Sequence, residues 1–168
     1  MDKEEIKKEF TKIYYQYIDS IYRFFYLNSD SQEVAEDLTQ ETFSRLWKAL
    51  NSQEKIEKPR AYLYRLARNL IVDFYRKTQK NQEILLDSMP EIRDPGDVQK
   101  RVIINTEIEK IKKNLQGLKE EYQLVIIWHY LEDIPIKEIA EILNKTEEST
   151  RVLLHRALKA LKESINRN

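Results

Sequence analysis

Residues 134–159 read IPIKEIAEILNKTEESTRVLLHRALK, and this stretch decides the fold of the C-terminal half of the chain. Apolar residues recur at helical spacing from Ile136 to Leu143, which predicts a short amphipathic helix. Asn144 tolerates the left-handed backbone conformation that often ends a helix, and Thr146 is a good N-cap for a following helix. The pattern therefore predicts a helix-turn-helix, in which the second helix can enter the major groove of DNA.

The second helix of this motif has an apolar inner face and a polar outer face. The side chains left on the outer face, and so available to duplex DNA, are Ser149, Arg151, Val152, His155 and Arg156. An ordinary helical hairpin with a solvated charged face remains an alternative at this point, because helix-turn-helix patterns are short and degenerate.

Composition indicates an all-helical protein. The 168 residues include only two glycines and four prolines, while 35% are charged and 41% hydrophobic. The absence of cysteine excludes disulfides, thiolate metal sites and a cysteine nucleophile. The N-terminal residues MDKEE lack the apolar core of a signal peptide, and no run of about 18 apolar residues occurs anywhere. We therefore expect a cytoplasmic protein.

Charge is balanced overall but unevenly distributed. The formal net charge is zero, with 29 basic and 29 acidic residues. Residues 55–80 contain eight basic and two acidic residues, and residues 151–168 contain five basic and one acidic. Residues 30–54 show the reverse, with six acidic and two basic. Two basic surfaces and one acidic surface suggest two contacts with nucleic acid and one with a protein.

Helical periodicity covers most of the chain and is interrupted once. Residues 87–97 hold two of the four prolines and one of the two glycines, which is typical of a linker. We expect an all-α fold in which two small helical domains, residues 1–86 and 105–168, are joined by a flexible linker at 87–104. The predicted helices span residues 3–27, 32–50, 59–80, 98–115 and 119–131, followed by the helix-turn-helix.

The second predicted helix carries an acidic and amide face. Its members are Asp37, Gln40, Glu41, Ser44 and Lys48, which share one side of the helix. Such a face is most often a solvated surface, but it could also bind a basic protein surface. Trp47, taken on its own, is expected in the core.

The third predicted helix interleaves basic and aromatic residues on one face. The residues that share that face are Arg65, Arg68, Asn69, Val72 and Arg76, and Tyr64 and Tyr75 flank it. Guanidinium groups can pair with phosphates while unstacked bases lie on aromatic rings, so the pattern suits single-stranded nucleic acid. Half-buried tyrosines beside solvated arginines would produce the same pattern.

Three segments resemble a known family. Residues 35–47, AEDLTQETFSRLW, resemble the core-binding segment in region 2 of bacterial RNA polymerase sigma factors. Residues 59–73 resemble the promoter-melting segment that follows it, and residues 118–162 resemble sigma region 4. Both regions in this order, joined by a short linker, resemble the extracytoplasmic-function (ECF) group of the sigma-70 family, and the resemblance covers essentially the whole chain.

The resemblance implies a role for each polar surface. Asp37, Gln40, Glu41 and Ser44 would bind the clamp coiled coil of the polymerase largest subunit. The −10 strand, with a base flipped out of the stack at a cost of a few kcal/mol, would be held by Lys58, Arg60, Tyr64, Arg65, Arg68, Asn69 and Arg76. The −35 duplex would be read by Glu148, Ser149, Arg151, Val152, His155 and Arg156. The flap of the second-largest subunit is an implied contact of region 4, and an anti-sigma factor is a further partner that the family suggests.

No catalytic residue, cofactor or metal is implied by the resemblance or by the residues. The carboxylates lie beside lysines rather than in paired arrangements, and His129 and His155 lack a recognisable ligand partner. Two alternatives to a sigma factor remain. One is a dimeric helix-turn-helix regulator, and the other, which has less support, is a helical metal-dependent hydrolase. Lys145 and Leu153 depart from the family pattern, so the −35 sequence cannot be inferred from relatives.

Overall fold

The structure, a computed structural model, describes residues 1–29, 31–86 and 106–167, with side chains described except at 79–86 and 106. Within these ranges the regular elements are all helical, which confirms the predicted all-α class. The elements are α1 (Lys3–Asn28), α2 (Gln32–Asn51), α3 (Pro59–Leu86), α4 (Thr106–Gln116), α5 (Glu120–Ile126), a π-helical turn (Ile127–Leu131), α6 (Ile136–Leu143) and α7 (Glu147–Arg167).

Helices α1, α2 and α3 form the N-terminal unit around a common apolar core. Local sequence explains where two of them begin, because Asp2 and Glu5 form a reciprocal capping box on α1 and the Ser31 hydroxyl caps α2. The core lies along the apolar faces of these helices, and its fully buried members include Ile21, Phe24, Leu46, Leu63 and Ile71. Helix α3 continues to Leu86, six residues past its predicted end.

Helices α4 to α7 form the C-terminal unit, in which α7 packs against α4, α5 and α6. The predicted linker lies outside the described residues, as does the predicted beginning at Val98 of the helix observed here as α4. The turn between α6 and α7 follows the prediction closely. Asn144 adopts the left-handed conformation with φ 53° and ψ 48°, and the Ser149 backbone N–H donates to the Thr146 hydroxyl at 3.1 Å. Pro135 is the N-cap residue of α6, with φ −62° and ψ 148°, and makes no side-chain capping hydrogen bond.

An aromatic cluster joins the two units. Trp128, on the π-helical turn, is fully buried, and its ring centroid lies 5.9 Å from those of both Phe24 and Tyr64 in the N-terminal unit. The turn is held by the Ile134 backbone N–H, which donates to the Trp128 carbonyl at 2.8 Å. The His129 Nδ1 lies 3.0 Å from the Ile134 carbonyl oxygen, so His129 is part of this structural turn.

Candidate nucleic-acid and protein interfaces

The acidic and amide face predicted on α2 is present and accessible. Asp37 and Gln40 are exposed, and Glu41 and Ser44 are partly exposed beside them. The Arg45 Nε donates to a Glu41 carboxylate oxygen at 2.8 Å, and this hydrogen bond lowers the pKa of Glu41 below its ordinary value. The face therefore carries fixed negative charge at neutral pH, with Asp37 free of any ion pair among the described residues.

An apolar groove between α1 and α2 borders this acidic face. Phe10, Tyr14, Phe43 and Trp47 line it, and Gln40 and Ser44 form its polar edge. The prediction that Trp47 lies in the core is wrong: Trp47 is 39% exposed, and its ring makes an edge-to-face contact with Phe10 at a centroid separation of 5.1 Å. The sequence did contain an indication that Trp47 is exposed. Positions 40, 44 and 47 are spaced by four and three residues, so Trp47 shares one helix face with Gln40 and Ser44.

The cationic face predicted on α3 is largely present. Arg65, Asn69 and Arg76 are exposed, and Arg68 is partly buried with its Nε lacking a hydrogen-bond partner among the described atoms. Lys58 and Arg60 lie at the beginning of the same helix. We refer to these residues together as the α3 cationic face (Lys58, Arg60, Arg65, Arg68, Asn69 and Arg76).

The placement of Tyr64 on that face is wrong. Tyr64 is 1% exposed, and its ring packs edge-to-face on both Phe24 and Trp128. Burial raises the pKa of its hydroxyl far above the ordinary value for tyrosine. The periodicity of α3 leaves position 64 beside the inner stripe, and packing of the C-terminal unit covers it there. Its ring cannot stack on a base in this arrangement.

Carboxylates of α6 engage several members of the α3 cationic face. The Lys58 Nζ lies 2.7 Å from a Glu141 carboxylate oxygen, and the Arg60 guanidinium donates through two nitrogens to Glu138. The Arg65 Nη2 donates to the Glu141 carbonyl at 3.2 Å. Hydrogen bonding across this contact raises the pKa of Lys58 and of Arg60 and lowers the pKa of Glu141. Each shift favours the charged form, so the contact is ionic at neutral pH.

A second ionic contact between the units lies at the edge of the aromatic cluster. The Arg23 guanidinium donates to Glu132 through Nε at 2.7 Å and Nη2 at 3.1 Å. The Glu132 side chain is only 4% exposed, and the Arg23 guanidinium supplies it with two charge-assisted hydrogen bonds. The contact links α1 to the residue that immediately follows the π-helical turn.

The side chains predicted to contact the −35 duplex are exposed on α7. Glu148, Ser149, Arg151, Val152, His155 and Arg156 are all exposed, whereas Thr150, Leu153 and Leu154 between them are buried. Val152 is 49% exposed although it is apolar. The Arg151 Nη2 lies 3.2 Å from Glu147, one helical turn earlier. The face therefore presents hydrogen-bonding groups and one apolar side chain to the surroundings.

No cluster of three or more histidine, cysteine, aspartate or glutamate side chains in residues 1–29, 31–86 and 106–167 could hold a metal ion. In the same ranges, no helix combines the length and apolarity that crossing a membrane requires.

Known protein families match both units. The family model described as Sigma-70 region 2 matches residues 13–81, and the model Sigma-70, region 4 matches residues 108–161. The ECF RNA polymerase sigma factor SigM of Bacillus subtilis is 31% identical over 160 residues, covering 93% of this chain and 94% of SigM. SigW of the same organism is 28% identical over 160 residues, covering 89% of this chain and 84% of SigW.

Two solved structures share the fold over nearly the whole chain. CnrH in complex with the cytosolic domain of CnrY has a TM-score of 0.70 at 17% identity, covering 96% of this chain and 90% of CnrH. The sigma factor RpoE of Bartonella quintana, in complex with the anti-sigma factor NepR, has a TM-score of 0.70 at 22% identity, covering 95% and 98%.

The chain therefore belongs to the sigma-70 family of bacterial RNA polymerase sigma factors. Its curated relatives place it in the ECF group of that family. It is a transcription initiation factor rather than an enzyme, and it directs core RNA polymerase to promoter DNA.

Proposed function

We propose that the chain performs this role with three surfaces on three different helices: α2 for the polymerase, α3 for the −10 strand and α7 for the −35 duplex. The observation that carries the proposal is the outer face of α7, where six predicted reading positions are exposed around a buried inner face. A helix with this division can pack on its own unit and still present side chains to a major groove.

The polymerase-binding surface on α2 combines charge with an apolar groove. Asp37, Gln40, Glu41 and Ser44 supply the acidic and amide groups, which complement a basic partner surface. The neighbouring groove adds Trp47, a large exposed aromatic of the kind that often anchors a protein interface. We infer that one helical partner, the clamp coiled coil of the polymerase, covers both.

The −10 surface is the α3 cationic face. Its lysine and arginines can pair with phosphates along a single strand, and Asn69 adds an amide that can hydrogen-bond a base edge. Tyr64 is left out of this surface because it is buried. The flipped base that the family resemblance implies would lie near Lys58, at the entrance to α3.

The proposal also includes the domain limits, the partners and the location. We assign residues 1–86 to the polymerase and −10 domain, 87–104 to the linker and 105–168 to the −35 domain, in agreement with the ranges that the family models match. An anti-sigma factor is proposed as a partner because the structural neighbour RpoE was solved in complex with the anti-sigma factor NepR. We place the protein in the cytoplasm, where bacterial RNA polymerase acts.

Reconstituted transcription tests the function as a whole. Core RNA polymerase with the full chain is expected to initiate on fragmented genomic DNA at start sites that share two upstream elements at fixed spacing. Sequencing of the transcript ends identifies the elements. Core enzyme alone serves as the control. A helix-turn-helix regulator would instead bind duplex DNA tightly without polymerase, and that result in an electrophoretic assay would contradict the proposal.

Arg151 tests the −35 assignment. Arg151→Ala is expected to weaken holoenzyme binding at a −35-dependent promoter by about 1–3 kcal/mol if the guanidinium pairs with a base. Run-off transcription on templates with an intact and a scrambled −35 element measures the effect. Lys159→Ala removes an exposed cation from the same helix and is the matched control. An equal loss on both templates would show that Arg151 does not read the −35 element.

A further inference from the structure

One apolar side chain lies in the middle of the polar outer face of α7. Val152 is 49% exposed, whereas Leu153 and Leu154, which follow it, are each 8% exposed. Val152 comes three residues after Ser149 and four residues before Arg156, so polar side chains are its neighbours at both helical spacings. The centre of the outer face is therefore apolar, and its edges are polar.

Two polar side chains beside Val152 already have partners within the motif. The Ser149 hydroxyl donates to the Thr146 carbonyl at 3.1 Å, and the Arg151 Nη2 lies 3.2 Å from a Glu147 carboxylate oxygen. A donor that is already engaged must give up its partner before it can contact a base. Val152 has no hydrogen-bonding group and therefore loses no such partner when DNA binds.

The position of the Val152 side chain suits a fixed contact with a base edge. The branch at Cβ leaves valine one strongly preferred χ1 rotamer in a helix, so its two methyl groups are held in place before DNA binds. Thr150 and Leu153 are buried on either side, which fixes the rotation of α7 about its own axis. Val152 lies in the second turn of α7, and the N-terminal residues of a recognition helix are the ones that reach base edges.

The edges of the bases in the major groove offer one apolar group to such a side chain. That group is the C5 methyl of thymine, because the other groups that identify a base there are hydrogen-bond donors and acceptors. A valine placed against a donor or acceptor leaves it without a partner, and this costs free energy. Packing on the methyl group and avoidance of polar edges both favour thymine at the position that Val152 faces.

We propose that Val152 specifies a thymine in the −35 element by packing its methyl groups against the C5 methyl of that base. This inference rests on the proposed function of the outer face of α7 as the −35 reader. Cytosine lacks the methyl group, and adenine and guanine present polar atoms in the major groove instead. The −35 element should therefore contain, on one of its strands, a thymine whose methyl group contributes to binding.

Replacing thymine by deoxyuridine tests the contact because it removes this methyl group and leaves base pairing unchanged. The probe is a fluorescein-labelled promoter fragment mapped by reconstituted transcription, in which each thymine of the −35 element, on either strand, is replaced in turn. Holoenzyme assembled from core polymerase and the full chain binds the probe at fixed salt, and competition with the unlabelled fragment measures its affinity.

Two variants are compared with the wild type in this assay. Val152→Ala removes both methyl groups of the proposed contact. Ile165→Ala is the matched control, because Ile165 is also 49% exposed on α7 but lies near the end of the helix, away from the six predicted reading positions. Circular dichroism and co-purification with core polymerase verify that both variants fold and assemble.

One uracil position is expected to weaken binding by the wild type roughly fourfold, which corresponds to about one buried methyl group. Val152→Ala is expected to weaken binding to the unmodified fragment roughly three- to tenfold and to lose most of its sensitivity to that uracil, since both changes remove the same contact. Ile165→Ala should keep the full sensitivity.

The outcomes separate this inference from the function it rests on. Equal sensitivity to uracil in the wild type and in Val152→Ala would overturn the inference, because another residue or the shape of the DNA would then explain the effect. It is also overturned if no uracil position weakens binding by the wild type, or if neither strand of the −35 element contains thymine. Scrambling the whole element tests the function itself: if binding does not fall, α7 does not read a −35 element, and if binding falls without any effect of uracil, α7 reads the element without Val152.

Discussion

Replacing Asp37 by lysine is expected to weaken binding of the protein to core RNA polymerase by roughly 2–4 kcal/mol, on the order of a hundredfold. Asp37 is exposed in the middle of the acidic face of α2, so the new ammonium would oppose a basic partner surface across the interface. The fold should not change, because no described contact of the core involves this side chain. Co-purification with core enzyme and a competition assay against the wild type measure the loss.

Asp73→Lys is the matched control for that experiment. Asp73 is exposed on α3 of the same unit, and the substitution changes the net charge by the same amount. Its binding to core polymerase should stay close to that of the wild type. Equal losses for the two variants would indicate that overall charge, rather than the α2 face, governs the interaction.

Trp128→Ala is expected to lower the free energy of unfolding by about 3–5 kcal/mol. The substitution removes the largest fully buried side chain and leaves a cavity between the rings of Phe24 and Tyr64. Because those rings belong to the N-terminal unit, the loss should extend to the packing of both units. Urea unfolding followed by circular dichroism measures the change, with the slope of the transition reporting whether the units still unfold together.

Trp47→Ala makes the same substitution at a half-exposed site. Trp47 is 39% exposed and lies at the edge of the groove against Phe10. Removing its ring therefore loses less packing than at Trp128 and creates little cavity. We expect Trp47→Ala to lower the free energy of unfolding by about a third of the decrease at Trp128, or less. Similar losses at the two tryptophans would contradict the central position assigned to Trp128.

The helices could be predicted from the sequence because the residues that begin and end a helix act locally. Asn144 adopts the left-handed conformation that its position predicted, and Thr146 caps α7. The outer face of α7 also follows directly from helical period, since the buried positions Leu153 and Leu154 fix which side remains outside. The family resemblance assigned roles to these faces, and comparison with known proteins confirmed the family.

The errors concern residues whose environment depends on a distant segment. Tyr64 was expected on a nucleic-acid face, but Trp128 packs on it from 64 positions further along the chain. Trp47 was expected in the core because large aromatics usually lie there, yet α1 leaves an open groove beside it. Neither neighbour can be identified from helical periodicity, which describes one helix at a time.

The sequence by itself determined the helices, the turn of the helix-turn-helix and the polar faces of α2, α3 and α7, because spacing and capping act within a few residues. Only the tertiary structure decided which of those faces are covered. The two units meet through Trp128 and through the α6 carboxylates on Arg60 and Lys58. Burial and ion pairing across such a contact depend on how separate helices pack in three dimensions, so the same basic face can be exposed or occupied without any change in its own sequence.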